Sequence, residues 1–432
     1  SGETMIARIR KMVEEARQRK APAQALIDRF ARVYTPAAVV AAAVVAVAPV
    51  VFFGEPFEKW FYRALVMLVI ACPCALVIST PVAIVAALGA AARGGVLVRG
   101  GAHLEAISRA RAFAFDKTGT LTRGRLRVSA IAPVGGHSES EALLAAAALN
   151  SRSEHHIASA ILEKARDSGL APREASDFKA VRGRGVSGMI DGERFFAGNL
   201  AFMSENGVPL AALERAIEDL ESGGATVIAV ASASEAIGLI AIEDEPRAEA
   251  AAALRQIRRA GAREIVMLTG DNLSAARRVA DAVGVDSVEA RLLPDEKLEA
   301  VRRLREKYGV VAMVGDGVND APALAEAAVG IAMGAAGSDA AIETADVALV
   351  SDDIACIPFL MRLGAATISV IKQNIAFAIA LKAAFLAAAA FGSATLWMAV
   401  FADTGASIIV VLNSVRLARA GTVARKRAAA RP

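Results

Sequence analysis

Two pairs of long apolar stretches, one near each end of the chain, most constrain how these 432 residues can fold. They cover about residues 35–53 and 61–92, then 370–391 and 396–417. A helix needs ~20 apolar residues to cross a hydrocarbon core, and each stretch is near or above that length. Short links, 54–59 and 392–395, join the members of each pair. Positive residues flank the other ends: Arg29, Arg32, Arg93, Arg99, Arg362, Arg416 and Arg419. Such residues mark the cytoplasmic side. Both chain ends and the whole middle region are therefore expected there, with the helices in a lipid bilayer. Buried core helices are the alternative, disfavoured by the tight links and the one-sided charge.

Composition agrees. Hydrophobic residues make up 55% of the chain but aromatics only 5%, so the excess is aliphatic, as in membrane helices. A formal net charge of +4 is too small to argue for nucleic acid, and no basic stripe is interleaved with aromatics. Cys72, Cys74 and Cys356 form no disulfide framework. Cys72 and Cys74, around Pro73, are expected to be too close to pair without strain and so to stay reduced. No cleavable signal peptide is evident. Residues 5–20 are periodic enough for an amphipathic helix, and the Ala/Arg-rich tail from Gly421 is expected to be disordered.

The middle, about residues 94–369, alternates strand and helix signals. Apolar runs at 112–115, 265–268 and 310–314 read as strands, and helices are predicted over 273–283 and 321–328. That pattern belongs to a parallel sheet with crossover helices. A second unit, about 125–234, carries helices at 139–149 and 157–168 and a hairpin, 186–190 and 193–197, around Asp191-Gly192. With strands at 227–231 and 237–242 it reads as an antiparallel sheet with helices.

Each of the three parallel strands runs into an acidic loop: Asp116-Lys117-Thr118-Gly119-Thr120, Thr269-Gly270-Asp271, and Gly315-Asp316-Gly317-Val318-Asn319-Asp320. Open α/β sheets bind ligands at the carboxyl ends of their strands, so the fold is expected to bring the loops together. Phosphoryl transfer to a carboxylate must overcome repulsion between anions, which Mg²⁺ and a lysine offset. Asp116 would be the nucleophile. Asp316 and Asp320 are hard ligands for Mg²⁺, and Thr118 can offer a carbonyl. Thr269 and Gly270 can donate to the phosphate, and Lys297 can supply positive charge. Any one loop alone reads as an ordinary turn; the three in this order do not.

Asp-Lys-Thr-Gly-Thr-Leu-Thr at 116–122 resembles the phosphorylation signature of P-type ATPases, and the loops at 269–271 and 315–320 resemble their later signatures. The resemblance runs over nearly the whole chain. It implies a multi-domain protein: an α-helical transmembrane bundle and a haloacid-dehalogenase-like α/β phosphorylation domain with an inserted α+β nucleotide-binding domain. Residues 94–124 and 235–362 would form the phosphorylation domain, 125–234 the insert, 35–93 and 363–419 the membrane pairs, 1–34 a linker helix and 420–432 a tail. It further implies ATP and Mg²⁺ as cofactors and an aspartyl-phosphate on Asp116, with Lys117, Asp271, Asn319 and Asp320 around it. In the heavy-metal branch a Ser-Glu-His-Pro stretch and a Gly-x-Gly hold the nucleotide. Here Ser153-Glu154-His155-His156 and Gly183-Arg184-Gly185 are similar, with His156 in place of the proline. Glu154 and His155 would contact adenine beside Gly183 and Gly185. Taken without the family, the His pair reads as a solvated helix start.

Cys72-Pro73-Cys74 lies in mid-span, where proline breaks the helix ladder and frees carbonyls near two soft sulfur ligands. Two small buried residues around a kink are the plainer reading, but the triplet resembles the intramembrane site of heavy-metal P-type ATPases. Lys382 and Asp403 also lie inside spans, where a charge costs ~2.5–3.5 kcal/mol; they are expected to pair with each other or to serve the cargo. The resemblance is to the divalent branch, which exports Zn²⁺, Cd²⁺ or Pb²⁺, with Cys72, Cys74, Asp403 and Lys382 as the metal site. A copper(I)-exporting pump is the alternative within the family, although copper pumps place Tyr-Asn and Met/Ser sets in these helices and no such set is present at matching positions. A monomeric, multi-pass protein of a bacterial inner membrane is expected.

Thr-Gly-Glu, the actuator signature of the family, does not occur in the sequence. The chain is therefore expected to start just after an actuator domain and to be incomplete for turnover, which metal-dependent steady-state hydrolysis would refute. Two readings from other classes stand beside the pump. One is a membrane-anchored haloacid-dehalogenase-like phosphatase, which would favour an aspartate at position 118 rather than Thr118. The other is a non-catalytic metal-binding membrane protein.

Overall fold

The computed structural model describes residues 22–151, 153, 156–181, 184–208, 216–217, 220, 225–316, 320–334, 345–390 and 393–419. The predicted helix at 5–20 and the tail lie outside them. The chain enters the first apolar pair through α1 (Pro22–Phe53), a helix that begins well before residue 35. Then come α2 (Phe57–Ala71) and α3 (Cys74–Arg93). The long second stretch breaks at Cys72 and Pro73, whereas Pro81 sits inside α3 without ending it.

The region between the two apolar pairs follows: β1 (Val96–Val98), α4 (Gly101–Arg109) and β2 (Ala112–Asp116), then β3 (Thr122–Pro133), α5 (Glu139–Asn150), α6 (His156–Asp167), β4 (Ser176–Val181), β5 (Gly185–Ile190), β6 (Glu193–Gly198), α7 (Leu200–Glu205), β7 (Thr226–Ser232) and β8 (Ala236–Pro246). Next are α8 (Ala250–Arg259), β9 (Glu264–Leu268), α9 (Leu273–Val283), β10 (Ser287–Glu289), α10 (Pro294–Tyr308), β11 (Val311–Gly315), α11 (Ala321–Glu326), β12 (Val329–Ala332) and β13 (Val347–Leu349). Helices α12 (Cys356–Ala390) and α13 (Leu396–Val415) complete the apolar set.

Among the described residues, two sheets organise the region between the apolar pairs. The first has the order β1-β13-β12-β11-β2-β9-β10 and is parallel except for β1 against β13. Its central strand β2, Ala-Phe-Ala-Phe-Asp, is buried throughout, as expected where helices cover both faces. Phe113 and Phe115 face one core, Ala112 and Ala114 the other. The second sheet, β3-β8-β7-β6-β5-β4, is antiparallel. It spans Thr122 to Pro246, wider than the predicted 125–234, because β8 pairs along β3 over most of its length. The β5–β6 hairpin turns at Asp191 (φ 50°) and Gly192 (φ 88°), the two-residue turn that its sequence predicts.

Among the described residues, four helical segments are long and apolar enough to cross a membrane. Their outward faces expose Val44, Val51, Ile379, Phe401 and Leu412, while small residues such as Ala75, Ala378 and Ala406 pack inward. Small side chains let helices approach closely where lipid supplies no hydrophobic drive. The 35-residue α12 starts in the core of the parallel sheet, with Ile357 and Leu360 packed in the same cluster as Phe113, and continues into the apolar bundle.

Candidate active site and metal site

Strand β2 lies between β11 and β9, with Phe115 level with Val314 on one side and Met267 on the other. The parallel register therefore ends all three acidic loops at one edge. Asp116 closes β2 there and is only 6% exposed. Lys297 comes from the first turn of α10, whose start is fixed by Pro294 and by the Glu296 carboxylate accepting the Leu293 N–H. Its Nζ lies 2.5 Å from Asp116 Oδ1 and 2.7 Å from Asp320 Oδ1.

One ammonium among the carboxylates of Asp116, Asp316 and Asp320 leaves a surplus of negative charge. Burial above all, then the Asp320 charge, pushes Asp116 up to about 7 against the pull of Lys297. Burial likewise raises Asp320. Burial pulls the Lys297 ammonium down, yet Asp116 and Asp320 hold it above its ordinary value. Asp320 Oδ2 is buried with no hydrogen-bond partner among the described residues. Surplus charge and an orphaned hard oxygen fit a divalent cation such as Mg²⁺.

Beyond Asp116 the chain turns through Gly119 at φ 73°, a conformation that suits glycine. Lys117 is buried and ion-paired with Asp271. The Thr269 hydroxyl accepts the Asp271 N–H at 3.1 Å. Lys117, Thr118, Asp244, Asp271 and Arg278 line a cleft of about 560 Å³ where the two sheets meet.

Sequence reasoning missed two residues here. Asp244, raised by its burial, sits 2.5 Å from the Thr122 hydroxyl. Arg247, 8% exposed, donates to the carbonyls of Gly119 (3.0 Å), Thr122 (3.1 Å) and Asp352 (3.0 Å) and to the Asp352 carboxylate (2.7 Å). It clasps the loop after Asp116 to the segment that leads into α12. The one available signal was an arginine immediately after the Pro246 that ends β8.

Of the predicted nucleotide contacts, Glu154, His155 and Gly183 lie outside the described residues, as does Asn319. Gly185 is placed opposite Gly198 across β5 and β6. A Cβ on it would stand 2.5 Å from the Ala197 carbonyl oxygen and 2.6 Å from the Phe202 ring. Strand packing alone therefore requires glycine there.

In the apolar bundle, α2 ends at Cys72 with ψ 123° and α3 begins at Cys74. The two sulfurs are joined in a disulfide. This corrects the expectation of unpaired, reduced thiols. The Cα atoms stand 5.5 Å apart, within the span that a disulfide bridges, and the non-helical corner at Pro73 lets both side chains turn to one side. The Asp403 carboxylate gathers with both sulfurs inside 4.8 Å. Lys382 Nζ lies 3.3 Å from Asp403 Oδ1 and donates to the carbonyls of Ile70, at 3.0 Å, and of Cys72. The helix break frees those carbonyls, and a cavity of about 20 Å³ lies beside Lys382 and Asp403. Lys382 and Asp403 pair, one of the two alternatives that the sequence left open, and Cys72, Cys74 and Asp403 are brought together.

Residues 110–328 match the haloacid dehalogenase-like hydrolase family. A probable cadmium-transporting ATPase of Staphylococcus aureus (strain MRSA252) is 43% identical over 96% of this chain, and a zinc/cadmium/lead-transporting P-type ATPase of Escherichia coli (strain K12) is 44% identical over 97%. The chain spans 58% and 56% of the lengths of these two relatives. Among solved structures, a zinc-transporting PIB-type ATPase in the E2.Pi state aligns over 96% of this chain and 68% of its own, with a TM-score of 0.84 and 44% identity. Likeness of sequence and of fold therefore agree over nearly every residue, and the chain belongs to the P-type ATPases of the PIB type, with a haloacid dehalogenase-like catalytic unit.

Proposed function

We propose that this chain carries the phosphoryl-transfer and metal-ligating parts of an ATP-driven exporter of divalent soft metals: zinc, cadmium or lead. The observation that carries the reading is the joint placement of Cys72, Cys74, Asp403 and Lys382 in the apolar bundle. Two sulfurs with one carboxylate make a site harder than an all-sulfur one, which suits a divalent ion over copper(I). Ligating a metal and bridging the sulfurs are mutually exclusive, so the cargo site requires both cysteines as thiolates.

At the catalytic end, an Asp116 carboxylate oxygen attacks the γ-phosphorus of ATP. The new O–P bond forms as the bond to the bridging oxygen breaks, and ADP leaves with the electron pair. Lys297 holds Asp116 in place and offsets the approach of two anions. Asp116, Asp316 and the Thr118 carbonyl would hold Mg²⁺, which neutralises phosphate charge when bound. Thr118 stands where a phosphatase of this fold would favour an aspartate, and its hydroxyl is a poor general base, so the phosphoenzyme is long-lived. The inserted unit would hold the nucleotide base.

The test is acid-stable labelling of the chain, in lipid with thiols reduced, from γ-labelled ATP. Label that depends on Zn²⁺ and disappears in Asp116→Asn supports the reading. No label, or label that survives Asp116→Asn, sinks it.

A further inference from the structure

Cytoplasmic to the metal site the three helices α3, α12 and α13 are tied by one amide. Asn374 of α12 is 2% exposed. Its Nδ2 lies 2.8 Å from Ser79 Oγ on α3, 3.0 Å from Ser414 Oγ on α13 and 3.3 Å from the Val410 carbonyl oxygen. Its Oδ1 accepts from Asn413 Nδ2 at 2.8 Å. Ser79 and Ser414 are wholly buried, and the Ser414 hydroxyl donates to the Val410 carbonyl at 2.7 Å, leaving its lone pairs toward Asn374. Both ends of the amide are therefore satisfied by protein groups.

The same helices carry the metal ligands and their counter-charge. Ser79 lies ~7.5 Å along α3 from Cys74, Asn374 ~12 Å along α12 from Lys382, and Val410 ~10.5 Å along α13 from Asp403, at 1.5 Å rise per residue. Apolar packing against lipid-like neighbours holds helices close but leaves rotation and sliding loosely set. Directional hydrogen bonds from one side chain to both neighbours remove that freedom. Turning α13 about its axis would swing Asp403 away from the sulfurs, and a metal site tolerates only ~0.5 Å of misplacement.

We infer that Asn374 is a positioning residue for the intramembrane metal site, fixing the register of α3, α12 and α13 and hence the spacing of the sulfur and carboxylate ligands. The inference rests on the metal-site reading above. The experiment measures Zn²⁺ and Cd²⁺ affinity of the full chain in lipid nanodiscs, with thiols reduced, by competition with a chromophoric chelator. Asn374→Leu keeps the volume and removes the hydrogen bonds. It should weaken Zn²⁺ binding about tenfold, which is about 1.4 kcal/mol, and weaken the larger Cd²⁺ less, so the Zn²⁺/Cd²⁺ affinity ratio falls. Ser79→Ala cuts one arm only and should shift the ratio in the same direction by a smaller factor. It also carries the test should Asn374→Leu not fold. Unchanged affinities and ratio in the variants, with Zn²⁺ binding that Cys72→Ser abolishes in the parent, overturn this inference alone. A parent chain whose Zn²⁺ binding ignores Cys72→Ser overturns the metal-site reading, and the inference with it.

Discussion

Asp116 is held in an environment that disfavours its own charge. In the fold its pKa is raised to about 7, chiefly by burial, so ionising it costs stability. Without Mg²⁺ that cost develops as pH rises from the ordinary carboxylate range to about 7 and is constant above. Asp116→Asn should therefore be more stable than the parent in chelator by a few kcal/mol at pH 8, with the gap closing toward pH 4. Thermal unfolding at the two pH values checks this, and added Mg²⁺ should narrow the gap at pH 8. Lys297→Met leaves two buried carboxylates facing each other without their ammonium. The expected result is about 3–5 kcal/mol of destabilisation and at least a ~10²-fold slower phosphoenzyme formation in quench-flow. Asp116 was legible in the sequence because acidic loops at strand ends announce themselves by position, and Lys297 as a positive charge that phosphoryl transfer beside them would need. Arg247 was not, since it recognises backbone carbonyls, which leave no side-chain pattern to read.

Elements show the same division. The strands that end at Asp116, Asp271 and Asp316 could be read from short apolar runs with polar exits. The limits of the insert could not: 237–242 reads as one of its antiparallel strands, but only the pairing shows that β3 starts at Thr122 and that β8 runs with it to Pro246. Gly185 carries two meanings that sequence alone merges. Since a Cβ there collides with the Ala197 carbonyl, Gly185→Ala should lower the stability of the inserted unit by about 1–3 kcal/mol, visible as earlier unfolding without nucleotide. A loss confined to ATP affinity, with the melting unchanged, would contradict that. The break between α2 and α3 makes a complementary case. Pro73→Ala supplies an N–H and permits a continuous helix, which would claim carbonyls now facing Lys382. Zn²⁺ affinity of the reduced chain should fall about tenfold or more, as read by chelator competition.

At the scale of the whole molecule, α12 is the continuous link. Its first turns pack in the same core as Phe113 of the strand that ends at Asp116, and its far half presents Lys382 to Asp403 beside Cys72 and Cys74. Arg247 clasps the loop after Asp116 to Asp352, a few residues before this helix starts. One residue inserted into α12 between Gly364 and Asn374 would turn everything beyond it by ~100°. Phosphoenzyme formation should then lose its dependence on Zn²⁺ while ATP binding persists, which labelling and nucleotide titration separate. The sequence predicted this helix only from residue 370, because its first half mixes polar and apolar residues like any surface helix and nothing in it stops the ladder.

The Lys382–Asp403 pair has a consequence for the electric field across the membrane. Empty, with neutral sulfurs, the pair carries no net charge. Loaded with a divalent ion on two thiolates, the cluster of ion, sulfurs, carboxylate and ammonium is neutral again. A bare charge moved through 100 mV exchanges about 2.3 kcal/mol with the field for each elementary unit, whereas a cluster neutral in both states exchanges almost none. On the proposed exporter reading, the helices around the ion would therefore rearrange with almost no work against the membrane potential.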